Sequence, residues 1–143
     1  FGYSVFEHRE NGIYSELTVH VDREAPVKFM RLRVRNDSNE KRSLSVTSYI
    51  EWVLGDIKSK TGMHVVTGID SVSGALFARN HYTEEFRGRT AFLDTDEPGR
   101  TVGVDRREFL GWNDCLANPA CIQRTKLYGM VYPALEPCSP IQV

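Results

Sequence analysis

The sequence predicts an all-β fold, an antiparallel β-sandwich, on three observations: apolar residues alternate with polar ones at a period of two, an Asn-Gly pair separates two such runs, and clusters of turn-forming residues recur at short intervals. About eight strands at that spacing suit a sandwich better than an isolated sheet. A chain of 143 residues is the size of one domain, and a domain of that length hides roughly 70% of the surface its unfolded chain exposes. We therefore expect residues 1–143 to form a single β-sandwich domain.

The first strand runs from Tyr3 to Glu10 and the second carries Ile13, Leu17, Val19 and Val21, with Asn11-Gly12 between them. Asn and Gly both tolerate positive φ, so the pair predicts a two-residue type I′ hairpin. That turn fixes the register: Glu10 faces Ile13, Phe6 faces Leu17 and Ser4 faces Val19 on one side, while Glu7 faces Glu16 and Tyr3 faces His20 on the other. Residues 22–26 break the pattern. A third strand follows, Met30, Leu32 and Val34 alternating with Arg31, Arg33 and Arg35. After the turn cluster Asn36-Asp37-Ser38-Asn39, the residues Leu44, Val46, Ile50 and Trp52 resume the period as a fourth. A plain meander would set Leu17 opposite Leu32, Val34 opposite Leu44 and Glu16 opposite Arg33. Shorter strands are expected at 63–67, 75–79, 91–94 and 101–104, separated by turn-rich 71–74 and 94–99. No stretch has a persuasive helical period. Residues 122–143 read as an extended tail with little core of its own, closing in a possible strand at Ile141-Gln142-Val143.

Composition bounds the function. Lys+Arg number 18 against 19 Asp+Glu, a net charge of −1, which lacks the basic footprint of a nucleic-acid binder. No apolar run approaches the ~20 residues of a membrane-spanning helix, and Phe1 opens directly into patterned sequence with no signal-peptide layout; direct membrane contact is not expected, and the chain reads as soluble. Cys115, Cys121 and Cys138 cannot all pair within one chain, and their uneven spacing fits neither a disulfide framework nor a zinc site. They read as reduced thiols, which favours the cytoplasm.

Four constellations bear on chemistry. Glu7 and Glu16 across a ladder repel, and such a pair can raise one pKa toward a general acid; Arg9 and Arg33 nearby favour a neutralised surface cluster instead. Arg31, Arg33 and Arg35 project from one face at roughly 6.6 Å intervals, a rail for phosphate or acidic sugar, or simply an ion-paired outer face. His8, His20, His64 and His81 lack the paired spacing of a metal site, and no nucleophile elbow or phosphate loop is visible. No catalytic residue, metal or cofactor is assigned. The segment 78–89 mixes aromatic rings, guanidinium groups and amides in a long connection, a composition suited to sugars as well as to a structural loop. Tyr82 offers a ring face, Asn80 a donor and an acceptor, and Arg107 a fork for a hydroxyl pair or an anion. These three are the candidate substrate-binding residues, expected to contribute little to stability.

Four ordered blocks carry a resemblance: Phe1-Gly2-Tyr3-Ser4-Val5-Phe6-Glu7-His8, the segment from Leu44 to Gly55 that includes Tyr49-Ile50-Glu51-Trp52, then Ala78-Arg79-Asn80, and Asp105-Arg106-Arg107-Glu108-Phe109-Leu110-Gly111. Together they resemble the N-terminal β-sandwich domain of cyclic β-1,2-glucan synthetases, in the region similar to cellobiose and chitobiose phosphorylases. The resemblance implies a supersandwich of the galactose mutarotase-like kind, partial in extent and a fragment of a larger multidomain enzyme, beside an (α/α)6 barrel. In that family the catalytic Asp and the phosphate site belong to the barrel, so no catalytic residue carries over. It also implies partners: the barrel of the same polypeptide, a β-glucan oligosaccharide, and a second copy in a homodimer. The parent glycosyltransferase or glycoside phosphorylase would be a membrane protein holding this domain on the cytoplasmic side of the inner membrane. The chain departs from the family pattern where Trp112 and Asp114 replace an Arg and a turn Gly.

The reading is therefore a non-catalytic carbohydrate-binding or accessory sandwich of such a synthetase. Its rivals are a freestanding carbohydrate-binding module and a mutarotase-like sugar epimerase working with a His and a carboxylate.

Overall fold

The computed structural model describes residues 2–82, 84–85, 87–112, 115–124, 126–127 and 137–143. Expectations for Phe1, for Thr83 and Phe86 of the long connection, for Asn113-Asp114, and for the tail over 128–136 lie outside the described residues. The structure divides into two compact units, Phe1–Leu44 and Ser45–Val143.

The first unit is a three-stranded antiparallel sheet, β1 (Tyr3–Glu10), β2 (Ile13–Val21) and β3 (Lys28–Asn36), in that order. Its hairpin has the predicted register, Glu10 opposite Ile13, Phe6 opposite Leu17 and Tyr3 opposite His20. Asn11 and Gly12 take φ of 48° and 78°, the positive values a type I′ turn requires. Gly12 is needed for space as well, since a Cβ there would lie 2.8 Å from that of Ser38. Between β2 and β3, Asp22 turns the chain by accepting from the backbone N–H groups of Glu24 and Ala25, both at 2.9 Å.

Alternation sorts the side chains of this sheet onto two faces. Cross-strand rows place Phe6, Leu17 and Leu32 together, with Val19 beside Met30 and with Val34 further along the same face. The other face carries Glu7, Glu16 and Arg33 in one row and Arg9, Tyr14 and Arg35 in the next. None of the described residues of this unit is buried.

The second unit holds the core. One sheet orders β4 (Thr47–Glu51), β9 (Cys138–Gln142) and β8 (Thr101–Val102); the other orders β5 (Val65–Ile69), β6 (Leu76–Asn80) and β7 (Ala91–Leu93). Ile50, Val102 and Ile141 from the first sheet join Val65, Leu76, Ala78 and Leu93 from the second in one hydrophobic cluster with Trp52 and Val104. Two inner faces sharing a core is sandwich packing. Trp52 satisfies its indole N–H inside that core by donating to Ser139 Oγ at 2.7 Å.

Three expectations are corrected. The meander ends at β3: Val34 faces Ser15 on β2, Leu44 is exposed, and β4 pairs with β9, Tyr49 lying opposite Pro140. A partner so remote in sequence leaves no local signal. The stretch with little expected core contains the most buried strand, every residue of β9 being buried. Proline usually avoids central strands because it lacks an N–H; here Gly103 follows β8, donates to the Pro140 carbonyl at 3.1 Å, and leaves room for the ring, to which a Cβ at 103 would approach within 3.1 Å. Finally, two one-turn helices are present, α1 (Lys58–Thr61) and α2 (Arg106–Leu110). Neither is long enough to show a period. The Asp105-x-x-Glu108 spacing is nevertheless a helix-start signature, and Asp105 Oδ1 caps α2 by accepting from the backbone N–H of Arg107 at 2.7 Å and of Glu108 at 3.2 Å.

Candidate functional site

The connection after β6 begins with a bracket built from Asn80. Its side chain is 3% exposed; Nδ2 donates to the Leu54 carbonyl and Oδ1 accepts from the Tyr82 backbone N–H, each at 2.9 Å. The donor and acceptor that made Asn80 attractive for a sugar hold the loop to the chain before α1. Tyr82, 63% exposed, stacks on the His64 ring at 4.3 Å between centroids and 7° between planes. One ring face is thereby covered and the other is left outward. Arg79 is engaged locally, Nε donating to Thr90 Oγ1 at 2.9 Å and its guanidinium lying 5.2 Å from the centre of the Phe77 ring. Arg107 stands apart in sequence and element, exposed on α2. The structure thus joins Asn80 to Tyr82 directly, adds His64 beneath Tyr82, and carries Arg107 on a separate support.

Sequence reasoning missed the strongest electrostatic feature, centred on Glu51 of β4. One carboxylate oxygen accepts from Tyr49 Oη and Arg106 Nε, each at 2.7 Å, and the other pairs with Lys58 Nζ. Burial acts to raise the Glu51 pKa, but hydrogen bonds from Lys58, Tyr49 and Arg106 outweigh it and hold the group down at about 2. Burial, with the Glu51 bond, pushes the Tyr49 phenol above its ordinary range. The Tyr49 ring in turn stacks on Phe109 at 4.4 Å, in a second cluster with Leu110, Cys121 and Leu127. A carboxylate so firmly ionised does not deliver protons near neutrality. It is a clasp tying β4 to α1 and α2. The one sequence signal available was the charge at Glu51 between the apolar residues Ile50 and Trp52, since Lys58 and Arg106 lie 7 and 55 residues away.

Of the Glu7/Glu16 pair, Glu16 has the expected cation in Arg33, whereas Arg9 turns to Asp37 at 3.6 Å and Glu7 is held by a phenol. Tyr14 Oη donates to Glu7 and lies 3.4 Å from Glu16, and Arg33 Nη1 reaches Glu16 at 3.2 Å. The bond to Glu7, more than any other cause, raises Tyr14 to about 12. Along the arginine row, Arg35 grips Asp37 bidentately at 2.5 and 3.0 Å and lies over the Tyr14 ring at 4.9 Å. Arg33 and Arg35 therefore belong to an ion-paired face and not to an open anion rail. His20 stacks on Phe29 at 5.1 Å. All three cysteines are free, and burial pushes the Cys121 and Cys138 thiols up.

Fold and site together define an all-β sandwich whose strand carboxylates are tied to cations and phenols. The sequence model of the glycosyl hydrolase 94 supersandwich domain matches residues 1–143. The chain is also 37% identical over 129 residues to the cyclic beta-(1,2)-glucan synthase NdvB of Rhizobium meliloti (strain 1021), a match covering 90% of this chain and 5% of that protein. The chain belongs to the glycosyl hydrolase 94 supersandwich family. Among the described residues, no helix is long and apolar enough to cross a membrane.

Proposed function

We propose that this chain is a non-catalytic accessory domain of an enzyme that makes cyclic β-(1,2)-glucan, supporting a glycosyltransferase or phosphorylase active site carried elsewhere in the polypeptide. The observation that carries the reading is the supersandwich match along the whole chain, together with a relative named as a glucan synthase of which the chain spans about 5%. The chemistry of the site agrees with it. Glu51 is locked ionised and Glu16 is paired, an arrangement for holding elements together.

In this reading the apolar face of β1, β2 and β3 receives another part of the same polypeptide, the (α/α)6 barrel. Phe6 at 60% exposure and Met30 at 42% supply ring and thioether area, and three strands with a hydrophobic face gain independent stability by packing that face. A second copy is the alternative occupant, giving a homodimer. The outward face of Tyr82 and the Arg107 guanidinium contact a β-glucan oligosaccharide, with Asn80 holding the loop. The whole protein keeps the domain on the cytoplasmic side of the inner membrane.

The test is turnover. Given a sugar phosphate and an acceptor, the purified chain is expected to release no phosphate above a heat-killed control, and given a single anomer it should not speed equilibration. Phosphate release would place catalysis inside this chain, and anomer interconversion abolished by one His substitution would make it an epimerase.

A further inference from the structure

We propose that Trp112 is a glucan-stacking residue, its indole face taking the apolar face of a β-linked glucopyranose unit at the C-terminal end of α2. The inference rests on the glucan reading given above and adds a contact to it.

Trp112 is the most exposed large apolar side chain among the described residues, at 105%, whereas the other tryptophan, Trp52, is 8% exposed. An indole carries roughly 150–250 Å² of mostly apolar area, and leaving it in water forgoes the stabilisation its burial would bring. The chain leading up to it is nonetheless well held. Asp105 caps the start of α2, Phe109 and Leu110 anchor the helix at 3% and 1% exposure, and the Gly111 N–H closes it onto the Arg107 carbonyl at 2.8 Å. Gly111 takes φ 78°, and a Cβ there would lie 2.8 Å from that of Ala120. Its backbone therefore packs on the turn at Ala120–Gln123, where Cys121 Sγ donates to the Glu108 carbonyl at 3.1 Å. A rigid support under an exposed ring lowers the entropy lost on binding.

A β-glucopyranose carries its hydroxyls equatorially and shows axial C–H groups on both faces, which match an aromatic face in area and polarity. Planar hydrogen-bonding groups lie on the two elements that meet at Gly111: Arg107 on α2, exposed, and Gln123 on the Ala120–Gln123 turn, bonded to Asn118 at 3.4 Å. Leu116 and Ile122 are exposed at 59% and 54%, so polypeptide docking is the competing occupant. One ring and two aliphatic side chains fall well short of the roughly 800 Å² per partner of a stable interface between separate proteins, and the ring alone suffices for one sugar unit.

The two tryptophans make the test direct, because a ligand on Trp112 alters its fluorescence while Trp52 stays buried. The full 143-residue chain is titrated with β-(1,2)-glucan oligosaccharide, following tryptophan emission and acrylamide quenching, with calorimetry as an independent measure of binding. The expected result is a blue shift and protection from quenching, both absent in Trp112→Ala, with affinity weakened about ten-fold, the order of one lost stacking contact. Folding is unaffected by a substitution so exposed. Binding heat with unchanged emission and unchanged affinity in Trp112→Ala overturns the proposal and leaves the glucan reading standing. No heat and no shift overturns the proposal together with the glucan contact assigned to Tyr82 and Arg107. A blue shift that grows with protein concentration and ignores glucan assigns Trp112 to polypeptide docking and overturns the proposal.

Discussion

Replacing Glu51 by Gln tests whether the charge cluster on β4 is a clasp. The folded carboxylate sits at about 2 against an ordinary 4.5, a gap that corresponds to about 3 kcal/mol. That is an upper bound, because the Lys58 side chain is 51% exposed and its share is screened by solvent. The Arg106 side chain, 18% exposed, keeps more. We expect Glu51→Gln to cost about 2 kcal/mol at neutral pH, a fall in Tm of roughly 4–8 °C for a chain of this size. The sign with pH follows from the depressed pKa. The carboxylate's contribution is fully present above the unfolded value of 4.5 and is lost as pH falls from there toward about 2. Thermal melts of the two proteins should therefore differ most above pH 5 and converge between pH 4.5 and 2. A Tm gap below about 1 °C at pH 7, or one that stays constant through the acid range, would refute the clasp.

Asn80→Ala should cost about 1–3 kcal/mol in chemical denaturation, since it orphans the Leu54 carbonyl and the Tyr82 N–H at a 3% exposed position; Tyr82→Phe should leave stability unchanged. Gly12→Ala combines φ of 78° with a 2.8 Å approach to Ser38, and a loss of about 1–2 kcal/mol in urea unfolding is expected. In an alkaline absorbance titration the phenol of Tyr14 should ionise at about 12 and move down in Glu7→Gln, which replaces the charged acceptor of its proton by a neutral amide oxygen; an unshifted titration would show that the Glu7 bond does not form. Light scattering should detect dimers or larger species that Leu32→Arg disperses, whereas a strictly monomeric chain would show that the exposed face of β1, β2 and β3 does not drive self-association.

The legible parts of the fold were those written locally. Asn11-Gly12 fixes a hairpin because both residues accept positive φ, and the alternation on each side then has one register that keeps Phe6, Leu17 and Leu32 on a common face. The pairing of β4 with β9 was not legible: Tyr49 and Pro140 meet across most of the chain, and a proline argues locally against the central strand it occupies. The site divides the same way. Tyr82 could be picked out as a ring in a long connection, but its support on His64 depends on the turn at Gly62–His64 reaching the loop after β6. Asn80 looked like a ligand group because its amide is bifunctional, and the same bifunctionality makes it a bracket once Leu54 is close. Trp112 could be read as a departure from the family pattern, whereas its exposure could not.

The clasp and the proposed glucan contact are mechanically related. On a one-turn helix adjacent residues point about 100° apart, so Arg106 can turn inward to Glu51 while Arg107 faces solvent, and the same Asp105 cap serves both. Breaking the Glu51 to Arg106 bond would loosen α2 from β4 while leaving the Tyr49 and Phe109 stack to hold the other side. The support beneath Gly111 and Trp112 would then depend on that stack and on the Cys121 to Glu108 bond. A ring on a less rigid support loses more entropy on binding. Glu51→Gln should accordingly weaken any glucan response of Trp112 fluorescence at temperatures well below its own Tm, although Glu51 touches no sugar, and the loss should be smaller than that of Trp112→Ala. An unchanged glucan affinity in a measurably destabilised Glu51→Gln protein would show that α2 keeps its place without the clasp, and that stack and cap alone position the ring.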